Sequence, residues 1–480
     1  MTTSATPPET SSDSGQPVAV PQEIPVQELP VAEPPAAAPV VVTAVPVAAP
    51  AKVSDGPRAI IPPSPAVVPY ATPTAPKPSQ RLISLDALRG FDMFWIIGAE
   101  NVAMAICKQW NTKATAIVAE QLDHVPWRGF HFYDLIFPMF VFIVGVSMVF
   151  SLSKAVERGG KAAAVRRVII RGIVLYLLGV IYYGGFSHSF GYMYKHHHQP
   201  VPDISSNFGK VIADIRFLGV LQRIAISYMV TGLLFCLFKP RTLMIICAGL
   251  LLLYWGLLVA VHPGQEHHSY DEGKNLTNYI DAHYLPGFKW DGDHDPEGIL
   301  STIPAIGGCL LGVFAGLLLH TPRLGGYQKA GLLVVGGALL ILIGMVWGGM
   351  PINLQEGGWT LPELAQFPVI KKLWTSSFVM LTAGCASVLL GVFYLVIDVW
   401  KLRIIAAPFV WIGMNAITLY LVWNIFELDK LASRFIGGSG TELGKHSPDW
   451  FLRLAPPIVA LAMILLLARF LYKRQIFLRV

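Results

Sequence analysis

At 480 residues, 54% hydrophobic and only 14% charged, with a mean hydropathy of +0.54, the chain is too apolar for a soluble globular protein. Such proteins carry about 25% charged residues. A formal net charge of +6 gives no sign of a nucleic-acid partner and fits basic loops and an anionic ligand. Several runs of 18 or more mostly apolar residues are each long enough to cross a ~30 Å hydrocarbon core, so the fold class is an all-α polytopic membrane protein.

The first 80 residues stand apart. They are rich in Pro, Ala, Val and Thr, and proline recurs every few positions. Proline removes backbone donors and stops helices, so the segment 1–80 is expected to be a disordered cytoplasmic tail. Its run AAAPVVVTAVPVAAP lacks a preceding basic region and lies far from the start, unlike a signal peptide.

From residue 81 onward the pattern is a single transmembrane domain, 81–480, of about ten spans. These are 86–107, 133–153, 167–186, 216–238, 242–261, 299–319, 330–348, 374–398, 404–426 and 453–472. Lys154, Arg158, Lys161, Arg166 and Arg167 crowd one short connection. Lys239 with Arg241, Arg323 with Lys329, Lys401 with Arg403, and the final Lys473, Arg474 and Arg479 mark others. Short loops dense in Lys and Arg stay inside, which puts both termini in the cytoplasm. The longer, net acidic loops 108–132, 187–215, 262–298, 349–373 and 427–452 then face out. Five cysteines scattered through apolar segments, without CxxC spacing, imply neither disulfides nor zinc.

Polar groups retained inside spans mark the candidate site, because each charge costs roughly 2.5–3.5 kcal/mol to insert. The first span, SLDALRGFDMFWIIGAEN, sets Asp86 and Arg89 three residues apart on one helix face, the spacing of an ion pair. Asp92 lies deeper, and Glu100 and Asn101 come near the outer end. In the next loop His124 precedes a Trp127-Arg-Gly turn, and Asp134 opens the second span. An imidazole can take a proton from an attacking amine or hydroxyl, and Asp134 or Glu100 could fix its tautomer. A plain loop histidine shows the same local pattern. The fourth span holds Gln222 and Arg223; this arginine must meet water, an anionic ligand, or a carboxylate such as Asp86 or Asp92. Asn415, Asn424 and Glu427 add polar groups near the ninth span, where interhelical hydrogen bonding is the plainer explanation. The pattern His198-x4-Asp203 lies in a Pro-rich loop, and the adjacent histidines there lack metal-ligand spacing, so no metal is expected.

In this order SLDALRGFD, HVPWRGFHFYDLIFPMFVFIVG, GVLQRIAISY, NYID, DPEGILSTIPAIGGCLLGVFAG, KKLWTSSFVM, PFVWIGMNAITLY and LYKRQIF resemble the heparan-alpha-glucosaminide N-acetyltransferase family and its bacterial relatives, from about Arg81 to the C-terminus. The resemblance implies an enzyme that uses acetyl-CoA from the cytosolic side and acetylates an amino sugar or glycan on the other, with His124 at the position of the family's essential histidine. It also suggests a homodimer. Glu100, VIKKLW and Val422-Trp423-Asn424 depart from the family pattern (Asn, Asn-Lys and Gly-His-Glu, respectively). The expected catalytic residues are His124, Glu100 and Asp134. Asp86, Arg89, Asn101, Trp127, Gln222, Arg223, Lys372, Trp374 and Asn415 are expected to bind acceptor or CoA. Arg89, Arg166, Arg167 and Lys239 are candidates for drawing in the CoA phosphates. The alternatives are a multi-span transporter or flippase for a sugar or anion, and a sensor or scaffold.

Overall fold

The computed structural model describes residues 82–182, 215–350, 361–362, 365–436 and 448–478. The tail 1–80 and the His198/Asp203 pattern lie outside the described residues. All of the described residues belong to one helical unit, Pro78–Val480. They form no strand, only isolated bridges such as Arg128 with Ile370.

The helices are α1 (Ile83–Phe94), α2 (Glu100–Gln109), α3 (Lys113–Leu122), α4 (Ile136–Ile181), α5 (Val220–Leu237), α6 (Pro240–Ala260), α7 (Leu276–Tyr284), α8 (Thr302–His320), α9 (Gly326–Trp347), α10 (Ser376–Phe393), α11 (Arg403–Met414), α12 (Ala416–Ile425), α13 (Leu428–Ile436) and α14 (Asp449–Lys473). Local chemistry sets several starts. Thr112 and Thr115 cap α3 reciprocally, Asn275 accepts the Asn278 N–H at the head of α7, and Pro240 opens α6 where no donor is needed.

Among the described residues eight helices are long and apolar enough to cross a bilayer, or nine if α11 and α12, bent by 67°, form one broken span. The sequence pattern suggested about ten, and the difference lies in α4. Its 46 residues would reach about 69 Å if straight, far beyond the bilayer core. Gly160, at φ +74°, interrupts it with a conformation that side chains disfavour. Before the break α4 runs parallel to α8, with Gly145 against Cys309 and Gly316 against Val149. After it, α4 runs antiparallel to α5, with Gly172 against Met229 and Gly179 against Gln222. Helices α5 and α8 start together at Arg223 and Ser301 and pack along each other. The two halves of α4 therefore run in opposite directions and count as two crossings.

The main core joins Val149, Leu152, Val168, Tyr228, Cys309, Val313, Phe378 and Val379 from α4, α5, α8 and α10. A second bundle packs α1 on α11 so closely that Gly90 faces the Phe409 carbonyl and Gly413 that of Asp86; a side chain at either would overlap backbone. Both partners are broken. Between α1 and α2 the chain passes through Ile97 and Gly98, the latter at φ +115° and against the Trp423 ring; between α11 and α12 it turns at Asn415.

One end of the bundle gathers α3 and the segments 123–135, 215–219, 262–301 and 365–375, joined by contacts of Phe132 with Gln121, Trp127 with Tyr270, Lys371 with His124 and Arg216 with Asp295. The basic connections (154–167, 239–241, 321–329 and 401–403) follow helix ends that pack together at the other, with Phe150 against His320 and Gly326 against Val399.

Candidate functional site

At the loop-rich end the chain between α3 and α4 is organised by one buried carboxylate. Asp134 Oδ2 accepts the backbone N–H groups of His131 (3.1 Å) and Val125 (3.4 Å), while Oδ1 lies 2.8 Å from His124 Nδ1. Asp134 is fully buried, and the His124 side chain is half exposed. The expected pairing of His124 with Asp134 is therefore present. Opposite them stands a tight loop before α10. The Thr375 hydroxyl donates to the Pro368 carbonyl (2.8 Å) and accepts from the Ile370 N–H (3.2 Å), and Gly129 N–H reaches the Val369 carbonyl (2.9 Å). This places Lys371 Nζ 3.1 Å from Asp134 Oδ1, 2.8 Å from His124 Nδ1 and 3.1 Å from Nε2. An ammonium has no lone pair, so with Nδ1–H given to Asp134 the ring accepts from Lys371 at Nε2. Burial, the largest influence, pushes the Lys371 ammonium below its usual range, while Asp134 and Glu297 pull the other way.

Lys372, the lysine expected from the sequence, turns away from His124. Its Nζ sits 3.1 Å from Glu272 and 3.0 Å from Asp291, with the Trp127 ring 5.8 Å away. Trp127 is held by its indole N–H, which donates to the Tyr270 carbonyl (2.8 Å). Glu272, Asp291 and His294 form a group whose ligand atoms lie within 4.8 Å of one another, and the Lys372 ammonium already lies between its two carboxylates.

One layer deeper, Arg223 is fully buried. It donates to the Ser301 hydroxyl and lies 4.7 Å from the centre of the Trp374 ring, leaving Nε and Nη1 without hydrogen-bond partners. Of the partners expected for it, no carboxylate of α1 reaches it. Trp374 itself is buried at φ +53°, and the Tyr254 hydroxyl donates to the Leu373 carbonyl (2.5 Å) beside it. Gln222 donates to the Arg216 carbonyl (3.1 Å). Arg216 grips Asp295 (2.9 and 2.7 Å) and Glu297 (2.5 Å) in a buried network that sequence reasoning missed, although DPEG stood among its motifs. Burial raises the Glu297 carboxyl against the pull of Arg216, and burial takes Asp281, on α7, to about 6. A small cavity lies beneath Trp374, lined also by Pro138, Phe142, Gly308 and Thr382.

The remaining expected residues are dispersed. Glu100 lies within electrostatic reach of His124, and Asn101 donates to Asp429 (3.3 Å). Asp86 and Arg89 form the expected i,i+3 pair (3.7 Å), with Arg89 also donating to Ser147 (2.6 Å), but at the start of α1, away from His124. Arg166, Arg167 and Lys239 are exposed at that same basic end. Asn415 marks the bend between α11 and α12, its Oδ1 buried without a partner. Asn424 donates to the Tyr420 carbonyl (2.9 Å) and Glu427 pairs with Lys430 (2.7 Å), as local contacts rather than site groups.

A many-span helical membrane protein with a His–Asp–Lys cluster at one end of its bundle is the class these observations define. No protein-family model matches the chain. It is 27% identical to heparan-alpha-glucosaminide N-acetyltransferase of Homo sapiens over 453 aligned residues, covering 83% of this chain and 59% of that protein. The Mus musculus heparan-alpha-glucosaminide N-acetyltransferase is 26% identical over 408 residues, covering 74% of the chain and 56% of the relative. The chain thus spans less than two thirds of the length of the curated relatives it matches. The resemblance seen in the ordered sequence segments is significant homology to this family over most of the chain.

Proposed function

We propose that the protein is a transmembrane acyltransferase. It takes acetyl-CoA at the basic, cytoplasmic end and transfers the acetyl group to an amine or hydroxyl of an amino sugar or glycan at the loop-rich end. The observation that carries this reading is the His124–Asp134 pair at 2.8 Å, faced by Lys371, on a scaffold homologous to N-acetyltransferases.

Asp134 holds the ring so that Nε2 faces the reacting groups. In the resting arrangement the Lys371 ammonium caps Nε2 at 3.1 Å. An acceptor displaces it, and Nε2 takes a proton as the acceptor nitrogen or oxygen attacks the thioester carbonyl carbon. The displaced ammonium then stands beside the oxygen that becomes an oxyanion. Collapse breaks the C–S bond, and the thiolate is protonated. Base catalysis contributes about 10²–10⁴-fold, with orientation supplying more. An acetyl-imidazole intermediate is the competing route, in which Nε2 itself attacks. Trp127 and Lys372 are placed to hold the acceptor. The cavity beneath Trp374, with Arg223 and Gln222, lies where the pantetheine arm approaches, and Arg89, Arg166, Arg167 and Lys239 attract the CoA phosphates. Asp86, through its pair with Arg89, belongs to the same entrance. A homodimer in the inner membrane with both termini inside is the expected assembly.

A transporter is the second reading, favoured by two discontinuous spans, one broken at Gly98 and one at Asn415, since transporters bind substrate at broken helices. One experiment separates them. Purified protein in proteoliposomes is given acetyl-CoA and glucosamine, and CoA release is followed alongside glucosamine uptake. Release that vanishes in His124→Ala supports the enzyme. Uptake without CoA release supports transport.

A further inference from the structure

His294, with Glu272 and Asp291 beside it, takes no part in the mechanism, yet its surroundings are built with care. Two organised turns carry the group. The Asp291 N–H donates to the His294 carbonyl (3.1 Å), with Gly292 between them at φ +88°, and Arg216 clamps the same loop through Asp295 (2.9 and 2.7 Å). Glu272 lies in a turn where the Asn275 amide donates to the Asp271 carbonyl (2.9 Å) and the Gly273 N–H to Asn278 (2.9 Å). His294 is only 4% exposed. Its Nδ1 lies 2.6 Å from Asp293 Oδ1, so the ring gives Nδ1–H to that carboxylate and turns the Nε2 lone pair toward the other two. Nε2 stands 3.6 Å from Glu272 Oε1 and 3.9 Å from Asp291 Oδ2, and it has no hydrogen-bond partner. Both separations are too long for a hydrogen bond, so an extra proton on Nε2 would find neither oxygen in range.

A buried lone pair aimed at two carboxylates calls for a cation. A carboxylate on the far ring nitrogen is the usual support of a metal-ligating histidine. Ligands about 2.0–2.2 Å from one tetrahedral zinc ion stand about 3.4 Å apart, close to the separations at Nε2. From this match we infer that Glu272, Asp291 and His294 form a site for a divalent ion of the zinc class, with Asp293 orienting the imidazole from behind and water completing the shell. The imidazole selects such an ion over calcium or magnesium, which take oxygen ligands. The Glu272 side chain, 48% exposed, opens the site to the surface. The Lys372 ammonium, 3.1 Å from Glu272 and 3.0 Å from Asp291, shares those carboxylates and is the ion's rival for them. Ion binding therefore releases Lys372.

The test titrates zinc chloride into the purified full chain in detergent, with binding read by calorimetry. Histidines elsewhere in the chain also attract zinc, so the site is identified by the binding event that one variant removes. Wild type is expected to show an event of one ion per chain that is lost in His294→Ala. Asp293→Asn should weaken it about 10- to 100-fold, the usual effect of removing the carboxylate behind a ligating histidine. Lys372→Met should tighten it about 2- to 30-fold, because it removes a rival that pairs with two partly exposed carboxylates. A chain that merely misfolds cannot produce that gain. Zinc binding equal in wild type and His294→Ala overturns the inference. So does an affinity that Lys372→Met leaves unchanged, or the absence of the event from both wild type and Lys372→Met.

Discussion

Replacing Lys371 by methionine isolates the contact on which the site's electrostatics turn. The substitution keeps most of the side-chain volume and removes an ammonium 3.1 Å from Asp134 Oδ1 and 2.8–3.1 Å from the His124 ring. Removing one donor aimed at a developing oxyanion costs about 2.7–4 kcal/mol of transition-state stabilisation. Here His124 remains beside Asp134, its side chain is half exposed and that of Lys371 is 23% exposed, so solvent offsets part of the loss. About 2–3 kcal/mol of transition-state stabilisation is then at stake, or about 30- to 160-fold in kcat/KM. The assay is acetyl transfer in proteoliposomes, with CoA release read against acceptor concentration. Lys371→Arg, which keeps the charge, should recover part of the rate. Lys372→Met, which loses partners on the acceptor side, should act mainly on KM for the acceptor. A Lys371→Met enzyme within threefold of wild type would refute the reasoning, whatever Lys372→Met does.

The geometry gives three further outcomes. Asp281 has a carboxyl raised by burial from 3.8 to about 6, so its effect favours the folded state below about 4 and is lost as pH rises through 6. Asp281→Asn should flatten thermal stability across that window and, above pH 7, gain up to about 3 kcal/mol, measured by unfolding in detergent; an unchanged pH slope rejects the assignment. Arg216→Met strands the buried Asp295 and Glu297 and should cost about 3–5 kcal/mol in the same measurement, part of it recovered by adding Glu297→Gln. Gly98→Ala puts a Cβ 2.5 Å from Trp423 at φ +115°, and a loss of about 1–3 kcal/mol is expected, with Trp423→Leu relieving the clash but not the backbone strain.

Features with a short-range signature were legible in the sequence. The spans follow from runs of apolar residues, Asp86–Arg89 from helical spacing, and His124–Asp134 from a pair only ten residues apart. The place of Lys371 beside His124 was not legible, because it depends on which way a loop turns against a residue 247 positions earlier. Arg223 declared itself as a buried charge, yet its neighbours, Ser301 and Trp374, come from other parts of the chain. The breaks were hidden as well. Gly98 and Asn415 sit in segments apolar enough to pass as straight helices, and the Trp423 ring packed against the first comes from more than 300 residues further along the chain.

The backbone approach of α1 and α11 at Gly90 and Gly413 has a mechanical consequence. With no side chain between them the two helices are held backbone to backbone, and each is broken beyond that contact, at Gly98 on one member and at Asn415 on the other. The portion beyond Gly98, which carries Glu100, rests on α12 through the Trp423 ring. Loosening either glycine contact should let the loop-rich end shift without touching His124, Asp134 or Lys371.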